Sequence, residues 1–417
     1  MMKRLLPLLV SILTAGVALA PAASAYDPEE SAIFNDVQRD FATRWELMHH
    51  VQKTIDSVPR DGEILISTFL LDRRVVVDKL ITAAKRPTAG GRNVSVRVIM
   101  DDEIVNSEAD RLQNALNADN PSGTVTSDPA TWGRDRSYAK KCVGSCRGAG
   151  GNMHTKFYAF SQAGTVHDIV MVSSANLNAG GALKGYNDLF TMTEQADTYD
   201  FYSTIHDEMT DDTRGDFDRY RVFEDPDGVF ESRFFPMRTA TIDTDPVMVD
   251  LSKVNCNGAA AGYGDGNGHT TIHVSMFYWD GERGIWIRDK LLQLAENGCK
   301  VNIVYGAPSA TVAPRLKNRA EAGLITLFDS RVHTDNDGLV DVRVHSKYML
   351  ISGNFGGNPA EKVVFTGSQN WVGGSLTRGD EVLLAIDDDA TYNQYLENWD
   401  LVTDCPRSRP IPGDPCS

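Results

Sequence analysis

Two short stretches each place a histidine two residues ahead of a lysine at the start of an apolar run. The first is GGNMHTKFYAFS (Gly150 to Ser161), with His154 and Lys156. The second, 191 positions later, is VRVHSKYMLIS (Val342 to Ser352), with His345 and Lys347. Side chains two apart on a strand share a face, so each imidazole is expected beside an ammonium group. A buried unpaired cation is costly, which makes this pattern a poor core and a good receptor for a phosphate. Each apolar run leads to a turn of small polar residues, SSANLNAGG (Ser173 to Gly181) and GSQNWVGGS (Gly367 to Ser375). These turns offer Ser174, Asn176, Ser368 and Asn370 as donors to phosphate oxygens. Asp188 and Glu381 open the next apolar runs and are expected to accept from the imidazoles and fix their tautomers. One His-x-Lys alone would read as a solvated strand end. Two copies in the same order favour a shared phosphate site.

The elements that must carry these residues repeat as well. Gly62 to Glu103 and Thr270 to Pro308 each run apolar strand, amphipathic helix, apolar strand, the signature of a βαβ unit. Each half is therefore expected to hold a largely parallel, buried sheet. The stretch CNGAAAGYGDGNGHT (Cys256 to Thr271) reads as a linker or exposed loop. It puts the division near residue 250, with halves at 26–250 and 251–417.

The N-terminus has the form of an export signal over residues 1–25: Lys3 and Arg4, an apolar run from Leu5 to Ala20, and Ala23-Ser24-Ala25 as a cleavage site. The alternative, a membrane anchor, is disfavoured because Pro7, Thr14 and Pro21 break a run already short for spanning. A secreted, extracellular protein is expected, with Tyr26 as its first residue. The formal net charge is −16, or −18 once Lys3 and Arg4 are removed, which argues against a nonspecific nucleic-acid binder. Six cysteines in an exported chain suggest three disulfides. Cys142 with Cys146 and Cys405 with Cys416 are the local pairings to expect first, leaving Cys256 with Cys299. A zinc site would need two close pairs with adjacent histidine.

On the His-x-Lys pairs and their Ser-x-Asn turns, the chain resembles the phospholipase D superfamily with its two HKD motifs. That resemblance implies two pseudo-symmetric α/β/α lobes, each with a mixed, largely parallel sheet, and an active site at their interface. It also implies a metal-free and cofactor-free phosphoric diester hydrolase working through a phosphohistidine, with His154 as nucleophile and His345 as acid and base. The family's aspartate, seven residues after each histidine, is replaced by Ser161 and Ser352. The intervals from His154 to Ser174 and from His345 to Ser368 are longer than usual for the family, and point to extended hairpin loops.

The substrate expected is a glycerophospholipid headgroup ester, met by transient contact with a membrane surface by a monomer. Phe157, Tyr158, Trp371 and the run Met276 to Trp279 would then line an acyl-facing mouth or lie in the core. The alternatives are a secreted metal-independent nuclease of the same superfamily and an inactive phosphate-binding relative. A calcium-dependent esterase built on HTDNDGLVD (His333 to Asp341) lacks the ligand spacing of an EF-hand loop. His49 and His50 are adjacent in a helical stretch and do not face one ligand.

Overall fold

A computed structural model of the protein describes residues 25–85, 93–103, 105–121, 123–133, 135–215, 217–333, 337, 339–405 and 407–412. All of the expected export signal except Ala25 lies outside the described residues. The first half supplies β1 (Ser31–Phe34), β2 (Glu63–Thr68), β3 (Ser95–Asp101), β4 (Tyr138–Cys142), β5 (Phe157–Ala163), β6 (Val166–Ser173), β7 (Gly185–Tyr186) and β8 (Asp188–Met192). Then come β9 (Arg221–Glu224), β10 (Phe230–Phe235), β11 (Val254–Asn255), β12 (Thr271–Trp279), β13 (Lys300–Pro308) and β14 (Thr326–Asp329). The last are β15 (Arg343–Val344), β16 (Lys347–Phe355), β17 (Asn358–Gly367), β18 (Glu381–Asp387) and β19 (Arg409–Ile411).

Seven strands form one sheet in the order β1-β8-β6-β5-β2-β3-β4, and a second sheet runs β19-β14-β13-β12-β16-β17-β18-β10-β9 with β11 against β16. The expected βαβ units are present. Helix Arg74–Ala84 joins β2 to a parallel β3, and helix Gly281–Glu296 joins β12 to a parallel β13. All seven residues of β3 are buried, as a strand covered on both faces requires. Both sheets are mixed. Pairing is parallel across β2-β3-β4 and β12-β13-β14. It is antiparallel through the strands that follow the motifs, which return as hairpins.

Those hairpins correct one expectation. The extra residues between each histidine and its Ser-x-Asn turn lengthen the strands, not the loops. β5 and β6 meet across Gly164 and Thr165, and β16 and β17 across Gly356 and Gly357. Gly356 and Gly357 have φ of 62° and 90°, the backbone that two-residue hairpins select.

The change of sheet falls ahead of residue 250, because β9 and β10 pair with β18 in the second sheet. The Gly/Ala-rich stretch is a loop of that second half, tied down by the Cys256–Cys299 disulfide and by Gly264 N donating to Ser352 Oγ at 3.0 Å. Cys142–Cys146 is also formed. Cys405 is disulfide-bonded, while Cys416 lies outside the described residues. A single central core cluster joins the halves, packing Val172, Phe190 and Tyr202 with Val364, Leu384 and Tyr395. Each large apolar side chain so buried contributes about 1.5–3 kcal/mol. No helix among the described residues is long and apolar enough to cross a membrane.

Candidate active site

His154 and Lys156 lie just ahead of β5, and His345 and Lys347 at the entry to β16. Short pairings between the halves hold both histidines. His154 N donates to Asp380 O at 3.0 Å, and His345 N donates to Tyr186 O at 2.8 Å. The two contacts are equivalent: Met153 bridges to Asp380 as Val344 pairs with Tyr186. β7 must approach closely for this, since a Cβ on Gly185 would stand 2.7 Å from His345 Cβ.

Each lysine ammonium donates to the backbone oxygen of its own histidine. Each pair also has an aromatic wall. Phe69 lies 5.2 Å from the His154 ring and 5.5 Å from Lys156 Nζ; Phe277 lies 4.5 Å from the His345 ring and 5.1 Å from Lys347 Nζ. The ring faces stabilise the ammonium groups. Burial depresses both lysines, Lys156 to about 7 and Lys347 well below the ordinary lysine value, against the pull of Glu381 on each. An anion arriving between them would restore their charge.

The orienting groups are where the structure differs most from expectation. Glu381 does what was expected: its two carboxylate oxygens lie 3.0 and 2.9 Å from His154 Nδ1. Asp188 does not. Its carboxylate is buried in the core between the halves, accepting from Ser174 Oγ at 2.7 Å, Tyr395 OH at 3.0 Å and Thr366 Oγ1. Burial pushes it upward in pKa. The residue that meets His345 is Asn187, whose Oδ1 is 2.8 Å from Nδ1. Asn187 is the structural counterpart of Glu381: Ser174 N pairs with Asp188 O as Ser368 N pairs with Val382 O. A one-residue offset sends a side chain to the opposite face of a strand, which is why the neighbouring acid points away.

Ser174 and Ser368 also need correcting as phosphate donors. Both are fully buried, and their hydroxyls donate to Asp188 and Glu381. Asn176 Oδ1 accepts from Leu70 N and Asn370 Oδ1 from Tyr278 N, each at 3.3 Å. The Ser-x-Asn turns thus set the carboxylate and the residue after each wall phenylalanine. Of the two asparagines, Asn370 lines the cleft at His154, whereas Asn176 borders a separate small cavity beside helix Glu46–Ser57.

That cleft, about 360 Å³, is lined by His154, Glu381, Asn370, Phe69, Glu103 and Arg378, within the size range of small-molecule sites. Phe157, Tyr158 and Trp371 are core residues rather than parts of a mouth, as are Met276 and Trp279. Ser161 and Ser352 accept from Glu63 N (2.8 Å) and Gly264 N (3.0 Å) at the far ends of their strands, about 20 Å along the chain from the histidines. His50 is a satisfied core residue, bonded to Tyr26 OH at 2.8 Å and Thr191 Oγ1 at 2.9 Å. Among the described residues no cluster of His, Cys, Asp or Glu is placed to hold a metal ion.

The sequence did not single out Asn187 or Phe69, and named Phe277 only within the run Met276 to Trp279, yet signals for them exist. STFLLD (Ser67 to Asp72) and SMFYWD (Ser275 to Asp280) share Ser, Phe and Asp in register. Ser174 to Asn187 and Ser368 to Glu381 are both separated by 13 residues.

Residues 266–400 match the family model described as "Cardiolipin synthase, PLD-like domain". No curated protein sequence matches the chain significantly. Among solved structures, the phosphatidylserine synthase of Haemophilus influenzae Rd KW20 is 13% identical, with 92% of this chain and 89% of that one covered and a TM-score of 0.55. The polyphosphate kinase of Porphyromonas gingivalis is 12% identical over 89% of this chain, with a TM-score of 0.51; the match spans half, 50%, of that longer chain. A phospholipase D family member from Salmonella typhimurium is 17% identical and covers 43% of this chain, with a TM-score of 0.28.

Proposed function

We propose, from the premise that the chain has the phospholipase D fold and carries a PLD-like domain over residues 266–400, that it is an exported phosphodiesterase acting on glycerophospholipid headgroups. The observation that carries the reading is the symmetric pair of His–Lys units brought together where the halves meet, each ring held through Nδ1. Nδ1 engaged on both rings leaves Nε2 for chemistry. A phosphodiester seated between Lys156 and Lys347 replaces repulsion between two cations with attraction to one anion. One imidazole attacks phosphorus, and the other protonates the leaving oxygen and then activates water. An alcohol in place of water would give headgroup exchange.

A lipid is favoured over a nucleic acid by the net charge of −16, which repels polyanions. The fold neighbour named as a phosphatidylserine synthase and the domain described under cardiolipin synthase support the same substrate class. Export, expected from residues 1–25, places the site where membrane surfaces and disulfide-permitting conditions coincide.

The test is a panel assay of purified protein with EDTA: phosphatidylcholine, phosphatidylethanolamine, a glycerophosphodiester and single-stranded DNA. Headgroup release from the lipids is expected, with phosphatidylethanol appearing when ethanol is added. Cleavage of DNA alone would overturn the lipid assignment, and no turnover of any substrate would make the protein a binder.

A further inference from the structure

The two motif entries differ in charge. Asn152 stands two residues ahead of His154, and in the equivalent position ahead of His345 stands Arg343. Arg343, His345 and Lys347 are spaced two apart, so their side chains leave the chain on one face. Phe277 gathers all three: its ring centre lies 5.0 Å from the Arg343 guanidinium, 5.1 Å from Lys347 Nζ and 4.5 Å from the His345 ring. Phe69, the matching wall, meets Lys156 and the His154 ring and, among the described residues, no arginine. The wall at His345 thus holds one cation more than the wall at His154. Among the described residues no carboxylate forms an ion pair with it, whereas the neighbouring Arg331 is closed by Asp329, at 2.8 Å through Nε and 2.6 Å through Nη2. Arg343 is half-buried. Burial and the charge of Arg331 both work against its ionised form, and its own charge is felt at His345. A cation kept in such surroundings without a partner is stabilised by an anion that arrives with the substrate.

The diester itself brings a single charge, which Lys156 and Lys347 already meet. Of the two alcohols joined in a glycerophospholipid, diacylglycerol is uncharged, so a second anion belongs to the headgroup. The planar guanidinium fork suits a carboxylate or a phosphate, either of which it holds through two parallel hydrogen bonds. We propose that Arg343 selects the headgroup, and that the preferred substrate is a phospholipid whose headgroup carries a carboxylate or phosphate of its own. The inference rests on the phosphodiesterase reading above and narrows its substrate. It places the headgroup on the Phe277 side of the site. Choline there would set a quaternary ammonium against a guanidinium, two like charges at close range.

The experiment measures kcat/KM of the full chain on short-chain, monomeric lipids that share one diacylglycerol and carry serine, glycerophosphate, glycerol or choline as headgroup. Monomers remove any attraction of Arg343 to a charged bilayer. The serine arm reads a carboxylate and the glycerophosphate arm a phosphate, and at least one of them is expected to exceed both glycerol and choline. Arg343→Gln should lower the ratio of kcat/KM on that lipid to kcat/KM on the glycerol lipid by about 10- to 100-fold, as loss of a charge-assisted hydrogen bond does. An effect of the arginine on His345 acts on both substrates and cancels in the ratio. Arg343→Lys should keep part of the preference, and Arg343→Glu should turn it towards choline. A wild type that favours glycerol or choline overturns the inference and leaves the phosphodiesterase reading standing. So does a ratio that Arg343→Gln and Arg343→Glu leave unmoved, including an equal loss on all four lipids, which would make Arg343 a ligand of the diester. A wild type that turns over none of the four defeats the reading and the inference together.

Discussion

Lys156 is a buried cation, and its dependence on a bound anion can be tested at that one residue. Its pKa lies at about 7 in the folded protein, against 10.5 as the ordinary value. Between those values the unfolded chain holds a proton that the folded chain has released, so stability should rise with pH over that window. Lys156→Met removes the burden of the charge: turnover should fall about 10²–10³-fold, while the melting temperature at pH 7 rises. Calorimetry beside the lipid assay checks both, and a melting temperature that falls would contradict the account. His154, Lys156, His345 and Lys347 were legible in the sequence because two copies exposed the pattern. Asn187 was not, because Asp188 beside it offers the acid that an orienting role calls for. Only pairing across β6 and β8 reveals which of the two meets His345 and which is turned into the core.

At the scale of elements, the motif strands separate chemistry from support. Ser161 and Ser352 stand at the ends remote from the histidines and cap neighbouring backbone. Ser161→Asp, which installs the aspartate of the superfamily pattern that the chain resembles, should therefore leave kcat/KM unchanged; a large change in either direction would show that the strand transmits to the site. The loop after β4 is the more sensitive part. Asp380 accepts from Ser145 Oγ at 2.8 Å, Cys146 N at 2.6 Å and Arg147 N at 3.2 Å, and its backbone oxygen holds His154. Asp380→Ala should cost about 1–3 kcal/mol for the buried donors it orphans, and should lower kcat through misplacement of His154. Denaturant titration and initial rates read the two effects. The βαβ units were legible from apolar periodicity. β9 and β10 were not, since nothing local to them signals that they join a sheet through β18, some 150 residues later.

Across the whole molecule, the shared core binds the halves into one unit, and three histidines in supporting positions set its acid limit. Burial pushes His50 and His273 down to about 4 and His206 to about 3. Below the ordinary value of 6.5 the unfolded chain takes up protons that the folded protein refuses. Stability should then fall as pH drops from 6.5 towards 4, by about 1.4 kcal/mol per pH unit for each histidine. Urea midpoints should show this slope, and His50→Gln, His206→Gln and His273→Gln together should reduce it. The duplicated architecture was legible because each half repeats the same order of parts. The way the halves interlock was not, because it depends on contacts such as Asp188 with Tyr395 that join distant stretches. The most direct test of the central claim, that both imidazoles serve one phosphorus, is kcat/KM for His154→Ala, His345→Ala and the double variant on one unactivated phosphodiester. Each single variant should lose roughly 10⁴-fold or more and the double should be no worse; losses that multiply would mean two separate sites.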